Sequence, residues 1–145
     1  MKTKETIPIE FIEIEPGNFH LFISIKVGSK KARLLLDTGA SKTAFDQQKV
    51  LKFVSGDLVV KQDMNSIGLG SNEVETHLSL LPSIKLGKIK LSKYEVAVLD
   101  LNHVNMAYKT LGFKKIDGVL GSDLLHRFEA IINYKKAQLS LTVKR

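Results

Sequence analysis

The sequence has no cysteine, no tryptophan and only three prolines. Without cysteine there is no disulfide, no thiolate metal site and no cysteine nucleophile. Arginine is scarce as well, with Arg33, Arg127 and Arg145 standing among 22 basic residues. Aromatic residues make up only 7% of the chain. A nucleic-acid groove wants clustered arginines and stacking aromatics. The formal charge of +7 therefore reads as a solvated lysine surface, which argues against nucleic acid as the main partner. Basic pairs occur at Lys30-Lys31, Lys114-Lys115 and Lys135-Lys136, but there is no long basic run. No apolar stretch approaches the roughly 20 residues that span a bilayer. His20, His77, His103 and His126 are scattered with no i,i+4 pair, so no metal site is expected. The segment before Ile7-Pro8-Ile9-Glu10 carries no apolar leader. A complete chain would then be cytoplasmic, and a chain whose leader had been removed would be exported.

What the chain does have is a period of two. Its 145 residues, 43% of them apolar, suffice for one domain with a real core, here expected over 1–145. Leu21, Ile23, Ile25 and Val27 alternate with polar or lesser partners, Gly28-Ser29 turns, and Ala32, Leu34 and Leu36 resume the alternation. That is a hairpin whose second strand runs into Asp37. The segment from Ile7 to Ile14 is strand-like, with a slip of phase between Phe11 and Ile12 that suggests a bulge. A short helix is expected from Thr43 to Phe53. Val74, Thr76, Leu78 and Leu80 are expected on one strand face, opposite Glu73, Glu75, His77 and Ser79. Ser83 to Leu86 and Tyr94 to Leu101 form a further pair around Gly87. Residues Asn102 to Lys115 read as a loop or irregular helix. Val119-Leu120 is a buried strand, Ser122 a helix N-cap with Asp123 favouring the helix start, and two strands, Ala130 to Tyr134 and Gln138 to Val143, close the chain.

One short pattern occurs twice. Ser24-Ile-Lys-Val-Gly28 returns as Ser83-Ile-Lys-Leu-Gly87. Each copy is a strand entering a glycine turn. The first leads on to Asp37-Thr38-Gly39 and the second to Val119-Leu120-Gly121. The placement suggests a β-domain with pseudo-two-fold halves.

Three elements in order carry a resemblance: Leu35-Leu-Asp-Thr-Gly-Ala-Ser41, the glycine-tipped Ile67-Gly68-Leu69-Gly70, and Gly118-Val-Leu-Gly-Ser-Asp-Leu-Leu125. Together they resemble the retropepsin-like aspartic proteases, from Phe19 to the C-terminus. The resemblance implies an all-β retropepsin-like half-barrel with a flap hairpin and one short C-terminal helix. It implies an aspartic endopeptidase with Asp37 as the catalytic acid, and with no metal or other cofactor. Thr38 and Gly39 would support the catalytic loop, and Ala40 and Ser41 would line the substrate cleft. Ile67, Gly68, Leu69 and Gly70 would form a flap over an extended peptide. Val119, Leu120 and Gly121 would pack beneath the catalytic loop.

The chemistry agrees with the motif. Water-mediated peptide hydrolysis without metal or nucleophilic side chain needs two carboxyls, one accepting a proton while the other donates a hydrogen bond. Held close, they share one proton and titrate as a pair. The chain has a single Asp-Thr-Gly. Asp117-Gly118 lacks the hydroxyl and reads as structural. Two copies of Asp37 from a C2 homodimer are therefore expected. Two other readings stand beside this one: a non-catalytic peptide-binding or assembly module on the same fold, and a basic protein docking on an acidic partner or nucleic acid.

Overall fold

A computed structural model describes residues 2–54, 59–62 and 76–144 of the chain. Among them the chain forms β1 (Lys2–Pro8), β2 (Glu10–Glu15), β3 (Asn18–Val27), β4 (Lys30–Leu36), β5 (Ala44–Asp46), a 3-10 turn (Lys49–Lys52) and β6 (Val59–Gln62). There follow β7 (Thr76–Leu86), β8 (Ile89–Leu99), α1 (Asn102–Thr110), β9 (Gly118–Leu120), α2 (Ser122–Arg127), β10 (Ile131–Asn133) and β11 (Gln138–Lys144). No helix among the described residues is long and apolar enough to cross a membrane.

The sheet order β3-β4-β9-β5-β8-β7 closes on itself, because β7 also pairs with β3. The result is a six-stranded barrel, with β2 beside β3 and β6 beside β7. Alternation drives it: Ile23, Ile25 and Val27 on β3 and Ala32, Leu34 and Leu36 on β4 are buried, while Ser24, Lys26, Lys30 and Lys31 are exposed. Phe45, Leu81, Ile84, Leu86, Val96 and Leu120 complete that interior. A second cluster lies outside the barrel wall, where α1 lays Tyr108 against Phe22 and Ile116. β1, β11 and β10 form a separate three-stranded sheet, in which β1 and β11 pair from Lys2↔Lys144 to Pro8↔Gln138.

The repeated pentapeptide lies on a pseudo-two-fold axis. Its two copies pair antiparallel with each other, Lys26 opposite Lys85 and Val27 opposite Ile84. Gly28 and Gly87 both have φ of +61°, a backbone that favours glycine. The axis exchanges the β3–β4 hairpin with the β7–β8 hairpin. It also exchanges the two parallel pairings, β4 with β9 and β8 with β5. Leu36 opposite Leu120 thus corresponds to Leu99 opposite Asp46. The turn equivalent to Asp37-Thr38-Gly39 is therefore Asp100-Leu101-Asn102, and not Val119-Leu120-Gly121 as the linear pattern suggested.

Several local expectations are corrected. Thr43 to Phe53 is not a helix. Ala44, Phe45 and Asp46 are all buried as a strand wedged between β8 and β9, and Asp46 Oδ2 then accepts the amides of Gln48 and Lys49 at 3.1 Å to start the 3-10 turn. Tertiary pairing outweighs helical spacing there. The N-terminal strand breaks at Ile9 into β1 and β2, which join different sheets, and the bulge falls between Glu13 and Glu15. β7 runs on through Pro82, and β8 begins well before Tyr94. Pro82 sits beside the irregular Lys93, at φ +51°, where the ladder skips from Leu81↔Tyr94 to Ser83↔Ser92. Of the polar face expected at Glu73, Glu75, His77 and Ser79, Ser79 is buried together with Leu78 and Leu81, while Glu73 and Glu75 lie outside the described residues. Residues 102–110 form a regular helix. At α2 the N-cap is Gly121, without a side-chain capping bond, and Ser122 is the first helical residue.

Candidate active site

β4 is apolar up to Leu36 because it crosses the barrel interior. Asp37 is the first residue beyond the ladder. Its backbone amide still donates to Leu120 O at 3.0 Å, so β9 holds the start of the turn from one side. The turn closes by Ala40 N–H to Asp37 O at 3.2 Å. The Asp37 carboxylate is half-buried, and its Oδ1 accepts the Gly39 amide at 2.9 Å. A Cβ on Gly39 would stand 3.3 Å from that same Oδ1. Thr38, Gly39 and Ser41 are exposed and Ala40 is half-buried. One side chain thus presents an oriented carboxylate at the rim of the barrel, beside a free hydroxyl.

The segment from Ala40 to Thr43 then folds back over the end of β9. Gly121 allows this: a Cβ there would stand 2.7 Å from Lys42 C, 2.8 Å from Ala40 O and 2.9 Å from Lys42 O. Gly118 meets β5 in the same way, because a Cβ would collide with the Ala44 carbonyl. Ser122 N–H donates to Ala40 O at 2.7 Å. Val119, Leu120 and Gly121 therefore lie in direct backbone contact with the Asp37 turn and its return.

Two sets of contacts near the turn are not visible in the sequence. The first is Asp123. Its Oδ1 accepts both the amide and the hydroxyl of buried Thr43, at 2.9 and 2.8 Å, and its Oδ2 accepts the Tyr94 hydroxyl at 2.6 Å. Thr43 Oγ1 accepts in turn from the Gly121 amide at 3.0 Å. Burial, then the bond to Asp123 and its negative charge, push the Tyr94 pKa above the ordinary tyrosine value. Asp123 is thus a clamp on the returning loop and not only a helix-start charge. Its position one step into a helix gave no sign of partners so distant in sequence.

The second is a His20–Tyr108 pair. His20 and Asp37 each lie two residues beyond the last β3–β4 pair, Phe22↔Leu35. His20 Nδ1 lies 2.8 Å from the hydroxyl of Tyr108 on α1, which is 2% exposed. Burial raises the Tyr108 pKa, Arg33 opposes, and the Asp37 charge raises it further. The two form the polar shoulder of the Asp37 turn. Only the strand register, which depends on the fold, could have revealed them.

Asp117 is structural. Its Oδ2 accepts the Arg33 amide at 2.8 Å and its Oδ1 pairs with Lys52 Nζ at 2.7 Å. Asp100, the pseudo-symmetric counterpart of Asp37, accepts the Asn102 amide at 2.9 Å and opens α1. Ile67, Gly68, Leu69 and Gly70 lie outside the described residues. Among the described residues no group of three or more His, Asp and Glu side chains is placed to hold a metal ion.

Comparison with known proteins points the same way. Residues 23–124 match a family model described as aspartyl protease. Two solved structures share the fold. A retropepsin-like aspartic protease from Rickettsia conorii aligns at 23% identity over 98% of this chain and 92% of its own, with a TM-score of 0.59. The retroviral protease-like domain of Ddi1 from Leishmania major aligns at 14% identity over 84% of this chain and 87% of its own, with a TM-score of 0.57. Among curated proteins, none matches.

Proposed function

The chain belongs to the aspartyl protease family, and we propose that it acts as a homodimeric aspartic endopeptidase, hydrolysing peptide bonds with a water held between two Asp37 carboxylates. Its fold is retropepsin-like. The observation that carries the proposal is the Asp37 turn itself. Each chain supplies one carboxylate, oriented by the Gly39 amide and backed by β9, and the reaction needs two.

In the dimer the two carboxyls share a proton. The ionised Asp37 takes a proton from the water as its oxygen attacks the scissile carbonyl carbon. The protonated Asp37 hydrogen-bonds the carbonyl oxygen and passes its proton to it, so that a neutral diol forms. Collapse of that diol breaks the C–N bond: one of its hydroxyls returns a proton to the ionised carboxylate while the other, protonated Asp37 gives its proton to the departing amine, so the dyad again holds one proton. Thr38, exposed at the rim, is assigned the contact that locks the two turns together across the two-fold axis. Gly39 lets those backbones approach, and Ala40 and Ser41 line the cleft. Ile67, Gly68, Leu69 and Gly70 are assigned to a flap over the substrate, and Val119, Leu120 and Gly121 to the floor of the turn. Extended peptides with apolar side chains at the scissile bond, at mildly acidic pH, are the expected substrates.

The test is cleavage of a diverse peptide library by wild type and by Asp37→Asn, at protein concentrations where sedimentation shows a dimer. Cleavage by wild type alone supports the proposal. Cleavage retained by Asp37→Asn sinks it. A wild-type dimer that binds peptides without turnover at any pH would move the function to a non-catalytic peptide-binding module.

A further inference from the structure

The repeated pentapeptide also shapes the outer surface of the barrel. Directly opposed residues of neighbouring strands point to the same face of a sheet. Lys31 on β4 opposes Lys26 on β3, Lys26 opposes Lys85 on β7, and Lys85 opposes Lys90 on β8. Four lysines thus stand in one row across four adjacent strands, at the strand spacing of about 4.8 Å. All four are exposed. The row has the same pseudo-two-fold symmetry as the barrel, which exchanges Lys26 with Lys85 and Lys31 with Lys90.

Like charges placed directly opposite destabilise a sheet, and no ion pair relieves these four among the described residues. The neighbouring rows are Ser24 opposite Arg33 and Ser83 opposite Ser92. Arg33 is already engaged by Glu10 at 2.7 Å. One acid, Glu5, lies against Gly87 at the edge of the row. The row begins at the turn end of the hairpins, while Asp37 lies at the opposite end of β4, so the two surfaces are distinct.

We propose that the Lys31–Lys26–Lys85–Lys90 row is a docking surface for an acidic segment of a partner protein. Charge complementarity sets the sign. The residue types choose the class of partner. The row holds lysine and no arginine fork for phosphates, and no aromatic ring for bases to stack on. The exposed large apolar residues, Phe19, Leu51, Met106, Leu111, Ile131 and Tyr134, all lie outside the row, so nothing in it would enter a lipid surface.

The experiment is fluorescence anisotropy of a labelled oligoglutamate peptide titrated with the full chain at low and at physiological salt. It reads binding and not turnover, so its outcome is independent of the catalytic proposal. Lys26→Gln/Lys85→Gln is expected to weaken binding about tenfold, roughly threefold per exposed pairing lost. Lys114→Gln/Lys115→Gln, with the same change of net charge, is expected to leave affinity within about twofold. Thermal unfolding of Lys26→Gln/Lys85→Gln should occur at or above the wild-type temperature, because repulsion is relieved, so weakened binding is not misfolding. Equal loss in both double variants would overturn the proposal in favour of diffuse charge. So would duplex DNA or phosphatidylserine vesicles binding more tightly than oligoglutamate through the same two lysines.

Discussion

Asp123 offers the sharpest test of how the site is held. Its carboxylate accepts three hydrogen bonds, two from Thr43 and one from Tyr94. Asp123→Ala removes all three acceptors. The Thr43 amide and hydroxyl are then left in a fully buried residue, whereas half-buried Tyr94 recovers a bond to water. A bond to a charged acceptor is worth about 1.5–3 kcal/mol. Discounting the Tyr94 share leaves an expected loss of about 3 kcal/mol. Asp123→Asn keeps Oδ1 as acceptor for both Thr43 donors. Its amide donates to a Tyr94 hydroxyl that rotates to accept, so only the ionic strengthening is lost, about 1 kcal/mol. For a chain of this size 1 kcal/mol corresponds to about 2–4 °C. The expected fall in Tm is thus about 10 °C for Ala and about 3 °C for Asn, by calorimetry at one fixed protein concentration, since the Tm of the proposed dimer would depend on it. Peptide cleavage should fall further than stability in Asp123→Ala, because the loop it clamps returns from Asp37. Equal losses in Ala and Asn would refute the reasoning, since geometry would then matter less than charge. An Ala variant as stable as wild type would refute it outright.

Gly121→Ala should cost about 3 kcal/mol and abolish cleavage, read by urea unfolding and peptide assay. Its φ of −100° suits any residue, so the loss would come from the Ala40 and Lys42 backbone and not from strain. Asp100→Asn should leave cleavage within about twofold of wild type although Asp100 is the fold's counterpart of Asp37, because an exposed helix-start bond is worth about 1 kcal/mol. A large loss of activity would show that the pseudo-symmetric turn takes part in the chemistry. Tyr94 and Tyr108 both hold their protons more tightly folded than unfolded. Above about pH 10 the unfolded chain therefore binds fewer protons, and stability falls as pH rises; below that pH the contribution of these groups is fully present and does not change with pH. Denaturant midpoints measured across that range should decline less steeply in Tyr94→Phe, and an unchanged slope would reject the assignment.

The barrel was legible wherever burial alternates. The β3–β4 hairpin, its run into Asp37 and the apolar β9 follow from period two and from glycine placement alone. The retropepsin-like fold was implied by the resemblance that three ordered elements carry. What stayed hidden was set by contacts distant in sequence. β5 reads as helical because Phe45, Val50 and Phe53 suit one helix face, and only the neighbouring β8 and β9 make Ala44–Asp46 a strand. α1 has weak periodicity because Tyr108 and Asn105 are its buried residues. Asn105 exchanges two hydrogen bonds with the Ile116 backbone, at 3.1 and 2.8 Å, and a polar residue on the inner face masks the apolar stripe. Asp123 holds Thr43 from 80 residues away in sequence, and His20 meets Tyr108 from 88 residues away.

The pseudo-symmetry also explains why one turn and not the other carries the candidate chemistry. Both turns follow a strand paired in parallel, and each aspartate accepts the amide two residues ahead at 2.9 Å. After Asp100 the chain continues as Leu101-Asn102 into α1, so the carboxylate is used up in starting a helix and faces solvent. After Asp37 comes Thr38-Gly39, which starts no helix, and the chain instead doubles back over β9 through the space that Gly121 leaves. That return is held by Asp123, by Ser122 and by the β4–β9 pairing, none of them local in sequence. The Asp37 carboxylate can therefore be positioned only once the whole barrel has closed. Stability and the proposed activity are expected to be coupled at this turn and not at Asp100.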